Sequence, residues 1–333
     1  MIPLAPHLTA FLRDRLPRER GASPHTCDAY AYAFQLLLAF AAKRLGTTPS
    51  ALTLEQVDPP LVLAFLDDLE SKRGNSARTR NARLAAIRSF ARFVEYRAPS
   101  CMQQIRGLLA IPMKRSTEKL VSYLTHDEMQ AVLDAPDPHS RDGVRDRAML
   151  HVTFAAGLRV SELVGLRVDD VTLQPQPAIH VTGKGRRERT LPLWKATAKA
   201  LRAWLALRGD APCPELFLNA RGAPLTRDGF EYILQKHVAV AAAAVHSIRK
   251  KRVSPHVLRH SCAMHTLEAT HDIRKVALWL GHSSVQTTEI YVRADPTEKL
   301  EAIDAVLPPT LRRGRFRAPD KLLASLRLSR PTS

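Results

Sequence analysis

The chain has 333 residues, 45% of them apolar, and sets 50 Lys and Arg against 32 Asp and Glu, a formal net charge of +18. That apolar share excludes a disordered polyelectrolyte, and the length suits two domains, each with its own core. So much positive charge repels itself in a compact body unless a polyanion is present; nucleic acid fits that role, and the competing partner, an anionic membrane surface, finds no basic amphipathic anchor helix here.

The opening MIPLAPHLTAFL has no basic region ahead of a long apolar run, so no secretory signal is expected. Residues 1–97 read as helices alone. Ser23 before Pro24 is an N-cap with proline at the first helical position, and Gly46 follows the last turn, which predicts a helix over 24–45. Pro59-Pro60 opens a shorter helix that stops before Gly74. A further helix runs from about 76 to 97, with Leu84, Ile87, Ala91 and Val94 at spacings of three and four forming one buried stripe. Arg80, Arg83, Arg88 and Arg92 fall mostly off that stripe. Residues 71–115 hold eleven Lys and Arg and one acid, Glu95. A solvated helix face normally mixes both signs, so this one is expected to face phosphates, with Arg78, Arg80, Arg83 and Arg88 as contacts.

Residues 99–118 break the helical pattern and read as a basic interdomain linker. Thr125 with Glu128 three residues on is a capping box that starts a second domain. Helices continue to about Val168. AIHVTGKGRRERTLPL (178–193) places two β-rich runs around a Gly-Lys-Gly turn, which predicts a hairpin. Helices resume near 195, and a basic, weakly ordered tail begins near Pro308. The longest apolar run, VAVAAAAV (238–245), is too short to span a bilayer, so no membrane association is expected and the chain is assigned to the cytoplasm. Cys27, Cys101, Cys213 and Cys262 form no CxxC pair and read as buried free thiols of a reducing compartment.

The stretch SPHVLRHSCAMH (254–265) holds three histidines and one arginine. His256 and His260, four apart, share a helix face as a zinc pair would. A catalytic HExxH motif, however, needs a glutamate where Val257 stands, and no third ligand has a recognisable spacing, so no metal is expected. His256 and Arg259, three apart, suit an anion instead, because arginine makes bidentate contacts with phosphate. AAGLRVSEL puts Arg159 after a glycine and beside a helix start. GKGRRER puts Lys184 at a flexible hairpin tip, with Arg186 and Arg187 as basic contacts beside it. LGHSSVQTTEIYV puts His282 after a glycine and Tyr291 nine residues later. This set suits phosphoryl transfer. Arginines and a histidine neutralise charge on nonbridging oxygens, a mobile lysine protonates a leaving alkoxide, and a phenol attacks phosphorus.

In this order the motifs GLRVSELVGLRVDDV, HVLRHSCAMHTLEAT and LGHSSVQTTEIYV resemble those of the tyrosine recombinase (phage integrase) family, strongly over about 120–305. The resemblance implies a mainly α fold with a small β-hairpin or sheet in two domains. These are an N-terminal helical, SAM-like core-binding domain (1–98) and, beyond the basic linker (99–118), a mixed α/β catalytic domain (119–306). A basic tail (307–333) follows. It implies a site-specific DNA recombinase or mobile-element integrase, with Arg159, Lys184, His256, Arg259 and His282 around the scissile phosphate and Tyr291 as nucleophile. Glu162 and His260 would support them, while His265 and His271 read as ordinary helix residues. No cofactor or metal is implied. The expected partner is double-stranded DNA carrying a specific site, bound by a homotetramer or a heterotetramer with related recombinases, in the cytoplasm with the nucleoid. Two alternatives stay open: a type IB topoisomerase, which shares the chemistry but religates the same strand, and a catalytically silent DNA-binding relative.

Overall fold

In the computed structural model, residues 1–115, 121–183, 187–282 and 285–294 are described. They fall into two compact units, one up to residue 118 and one from 119 onward.

The first unit is helical. Helix α1 (Leu4–Ala10) runs directly into a π-helical segment, Phe11–Glu19. In α2 (Pro24–Leu45) the Ser23 side chain accepts the Thr26 N–H, Pro24 begins the helix, and Gly46 closes it at φ +63°. Asp58 caps α3 (Pro59–Ser71), and Ser76 caps α4 (Ala77–Val94). Leu84, Ile87, Ala91 and Val94 are buried as their spacing requires. Phe11, Phe34, Phe90 and Phe93 meet at ring-centroid distances of 5.3–6.4 Å and form the centre of the core.

Two expectations change here. Helix α4 ends at Val94, three residues short. The stretch expected as a linker carries a short 3-10 turn, Pro99–Cys101, and α5 (Met102–Ala110), whose Ile105 and Leu108 pack into the same core. The prolines at 99 and 112 interrupted the pattern but bound a helix rather than abolish one.

The second unit opens with the capping box of α6 (His126–Asp134). The Thr125 N–H donates to Glu128 Oε2 (2.8 Å), and the Glu128 N–H donates to Thr125 Oγ1 (3.4 Å). Helix α7 (Arg141–Ala155) is buried through its second half from Ala148 to Ala155, and α8 (Val160–Val164) follows. A three-stranded antiparallel sheet comes next: β1 (Val171–Thr172), β2 (Ala178–Thr182) and β3 (Glu188–Pro192). The expected hairpin is β2–β3, in the register Ile179↔Leu191 and Val181↔Arg189, with Ile179, Val181 and Leu191 on the core face. Strand β1 adds an edge of two residues. Helices α9 (Lys195–Arg208), α10 (Arg227–Ala244), α11 (Pro255–Thr270), α12 (Ile273–Leu280) and α13 (Glu289–Ala294) follow among the described residues. Among the described residues, no helix is long and apolar enough to cross a membrane. The four cysteines are free; Cys101 and Cys262 are buried, whereas Cys27 and Cys213 are only half-buried.

A buried ionic knot ties α7 to α10. Asp146, 1% exposed, accepts from Arg145 Nε (3.0 Å) and Nη2 (2.8 Å) and meets His237 Nε2 at 2.9 Å. Removing one partner of such a knot strands the others without solvent. Asp146→Ala is therefore expected to lower unfolding free energy by about 3–5 kcal/mol, read from the denaturant midpoint at unchanged slope.

Candidate active site

Three separate segments of the second unit converge on one carboxylate, that of Glu162. Arg159 precedes α8, and its backbone N–H donates to Glu162 Oε2 (3.0 Å) while its Nη1 donates to Oε1 (2.7 Å). From β3, Arg189 reaches the same carboxylate, Nη2 to Oε2 at 2.8 Å and Nη1 to Oε1 at 3.3 Å. From α11, Arg259 Nη1 lies 3.9 Å from Oε2. Burial alone would push the Glu162 carboxyl up, but hydrogen bonds from Arg189 and from the Arg159 backbone hold it below the usual carboxylate range.

Arg259 is 4% exposed, and its guanidinium is held by two carbonyls. Nη1 donates to Gly157 O and Nη2 to Leu280 O (2.7 Å). Gly157 must be glycine here. Its φ is +55°, and a Cβ would stand 2.5 Å from Leu280 Cδ2 and 3.1 Å from Cys262 Sγ. Burial, then the nearby Arg159, lower Arg259 to about 10, so it stays charged at neutral pH.

Helix α12 ends at Gly281 in the left-handed conformation, which turns His282 back toward this cluster, and His282 Nδ1 lies 2.8 Å from Thr288 Oγ1. Tyr291, on α13, is 1% exposed. Its ring lies parallel to that of His282, 6.5 Å away, and its hydroxyl is 2.9 Å from His260 Nδ1. Burial, followed by the charges of His256 and Arg259, lowers His260 to about 4. Its ring is therefore neutral at pH 7; with the ring proton on Nε2, the phenol donates to Nδ1. Burial pushes the Tyr291 phenol up to about 12. His282 is also held down to about 4, by burial first and then by Arg259 and Arg159.

Arg159, Arg259, His282 and Tyr291 thus come together with Glu162 and His260. His256 stands at the exposed rim of α11, its ring centroid 6.5 Å from that of His260. Lys184 and Arg186 lie outside the described residues. The flanking Gly183 does not: its N–H donates to Arg187 O (2.7 Å), and a Cβ on it would lie 3.2 Å from Glu162 Oε1 and 3.3 Å from Arg189 Nη1. Exposed Arg187 lines the cleft beside Gly183 together with Arg159, Arg189 and His282.

Arg189, the last residue of GKGRRER, is an inward partner of Glu162. Its signal was available: at 189 it alternates with Glu188 in a strand, so the two face opposite ways. On α4, Arg78 is exposed. Arg83 donates to Ala29 O (3.2 Å) and lies over the Tyr32 ring, and Arg88 is half-buried. Arg80 departs from its expected outward position. It is 3% exposed, donates to Pro112 O (3.3 Å) and sits 3.6 Å from Glu70, so its guanidinium serves the first unit's own packing.

The depressed histidines make stability depend on pH in a definite sense. His151, His260 and His282 each sit at about 4 in the folded chain against an ordinary 6.5. Their contribution is complete above about 6.5 and is lost as pH falls toward 4, because the unfolded chain takes up those protons first. The thermal midpoint is expected to fall across that window, and less steeply in His151→Asn.

Residues 122–298 match the family model described as Phage integrase family, and residues 8–97 match Phage integrase, N-terminal SAM-like domain. A putative integrase/recombinase, y4rC, of Sinorhizobium fredii is 46% identical over 325 residues, covering 97% of each chain. Tyrosine recombinase XerC of Pelobacter propionicus is 36% identical over 310 residues, covering 92% of this chain and 97% of that one. Among solved structures, the XerH site-specific recombinase bound to a palindromic difH substrate aligns with a TM-score of 0.67 at 22% identity, covering 89% of this chain and 84% of that one. The Tn1549 transposon integrase in complex with circular intermediate DNA aligns with a TM-score of 0.67 at 16% identity, covering 91% and 99%. At such identities these two structures speak for the fold, a mainly helical chain with a small antiparallel sheet. The matched regions and the full-length relatives place this chain in the phage integrase family, the tyrosine recombinases, which are DNA breaking and rejoining enzymes.

Proposed function

We propose that this recombinase acts on double-stranded DNA at a specific site, with Tyr291 as the nucleophile. As the phenol proton passes to His260 Nδ1, 2.9 Å away, the Tyr291 oxygen attacks a phosphodiester phosphorus, the P–O bond to the 5′-oxygen breaks, and a 3′-phosphotyrosine and a free 5′-hydroxyl result. The bond energy is held in the phosphotyrosine, so a second 5′-hydroxyl can reverse the step without ATP. Arg159, Arg259, His256 and His282 surround the phosphate and stabilise the charge that gathers on its nonbridging oxygens. Lys184 protonates the leaving 5′-oxygen. The observation that carries the reading is the convergence of Arg159, Arg259, His282 and Tyr291 around Glu162 and His260.

The DNA contacts of the proposal rest on charge. The helical domain (1–98) contacts the duplex through Arg78, Arg83 and Arg88, and the catalytic domain (119–306) through Arg186 and Arg187, with 307–333 a basic tail. Arg80, paired internally, is left out of this set. Exchange of both strands requires four protomers, alike or of related recombinases, working in the cytoplasm on the nucleoid. Integration, excision, transposition and resolution all use this chemistry.

Trapping the covalent complex on genomic DNA and mapping its ends tests the reading and yields the site. Tyr291→Phe is expected to abolish the SDS-resistant adduct while leaving DNA binding nearly intact. An adduct that persists in the Phe variant would overturn the assignment. Arg159→Ala, which removes a charged donor from the transition state, is expected to slow cleavage by roughly a hundredfold or more. For Lys184→Ala, cleavage should be slow on ordinary DNA and recover on DNA with a 5′-bridging phosphorothiolate, whose thiolate leaves without a proton. A lysine that only contacts phosphate would instead weaken binding and flatten its salt dependence.

A further inference from the structure

A second group of ligand-type side chains lies apart from the catalytic cluster. His126 is the first residue of α6, and His265 and Glu268 stand three apart on α11, hence on one face. His265 is five residues past His260, roughly 140° round the helix, so it faces other surroundings than the His260 that meets Tyr291. The His126 and His265 rings stack with centroids 3.8 Å apart, and His126 Nε2 is 3.8 Å from Glu268 Oε2. One ligand atom from each of the three lies within 4.8 Å of the others.

The state of His265 is the decisive detail. It is 8% exposed. Its Nε2 lies 2.9 Å from the Leu124 carbonyl and donates to it, which puts the ring proton on Nε2 and leaves Nδ1 a bare lone pair. That Nδ1 is buried and has no hydrogen-bond partner among the described residues. A buried acceptor left unmatched is destabilising. A histidine that gives one N–H to a backbone carbonyl and keeps its other nitrogen unprotonated is in the state in which metal-binding histidines are held.

We infer that His126, His265 and Glu268 bind a divalent transition metal ion, Zn²⁺ by preference, with water in the fourth position. Two imidazoles and one carboxylate suit Zn²⁺, whereas Mg²⁺ and Ca²⁺ call for oxygen ligands throughout. Tetrahedral ligands around Zn²⁺ stand roughly 3.4 Å apart for a Zn–N bond near 2.05 Å. The three groups must therefore close by about an ångström, and the 76% exposed His126 side chain has the freedom to do so. The ion would act on structure, not on the reacting atoms. The chain leading into α6 is already stitched to its surroundings: the Leu124 N–H donates to Ser261 Oγ (2.8 Å), and Lys251 Nζ donates to Tyr123 O (2.8 Å). A metal ion would lock that segment to α11, the helix of His256, Arg259 and His260.

The test uses full-length protein stripped by a chelator and titrated with Zn²⁺ against a chromophoric competitor. Wild type is expected to take up one ion and to gain roughly 5 °C in thermal midpoint at saturating Zn²⁺. His126→Ala and Glu268→Gln alter exposed or half-buried positions, so the fold is expected to survive. Each should lose at least about tenfold in Zn²⁺ affinity, with the thermal gain. His256→Ala, which breaks the rival pair on α11, should bind as wild type does. If wild type takes up no Zn²⁺ against the competitor, or if His126→Ala and Glu268→Gln bind it undiminished, the three residues are a packing stack with a surface ion pair and the inference falls.

Discussion

The carboxylate of Glu162 is the constraint on which the catalytic unit turns. Three guanidiniums, from the residue before α8, from β3 and from α11, are drawn to it, two by direct hydrogen bonds and the third at 3.9 Å. Two unit charges about 4 Å apart in a partly buried setting interact by about 4 kcal/mol, so the arginines would repel one another strongly without it. The surrounding backbone is fitted to the group. Gly157 passes close enough to offer its carbonyl to Arg259, and Gly183 lies against the Glu162–Arg189 pair, where a side chain would intrude. Strand β3, α8 and α11 are thereby referred to one point.

Much of the scaffold was legible because its signals are local. Helix α2 announced both ends through Ser23, Pro24 and Gly46, and the capping box at Thr125 works through four consecutive residues. The hairpin declared itself through β-rich runs on either side of glycines. What local reading missed depends on distant partners. Strand β1 has two residues and exists only because Ile179 and Ala178 pair with it. Helix α5 lies between prolines and is held by the core it covers. Arg80 resembles its neighbours in sequence, and only Glu70 and Pro112, brought near by folding, draw it inward.

The candidate site divides the same way. The order and spacing of Arg159, His256, Arg259, His282 and Tyr291 lie open in the chain, as does the three-residue step from Arg159 to Glu162. Which atoms meet does not. His260 is expected to support the site, but that it does so by holding the Tyr291 hydroxyl, across a separation of 31 residues, emerges only in the fold. Arg189 was hidden in a run of charge where strand alternation alone distinguishes inward from outward. His265 likewise read as ordinary, since its claim to notice is an orphaned nitrogen beside a residue 139 positions earlier.

The arithmetic of charge around Glu162 has a consequence of its own. Three guanidiniums against one carboxylate leave two positive charges unmatched beside the cleft. A resting phosphodiester carries one negative charge, and the five-coordinate phosphorus formed when a phenolate adds to it carries two. Counted for the three arginines and Glu162 alone, a phosphodiester bound there leaves the cluster one charge short of balance and the transition state balances it. A surplus of that size favours the species through which the reaction must pass over the one that merely binds.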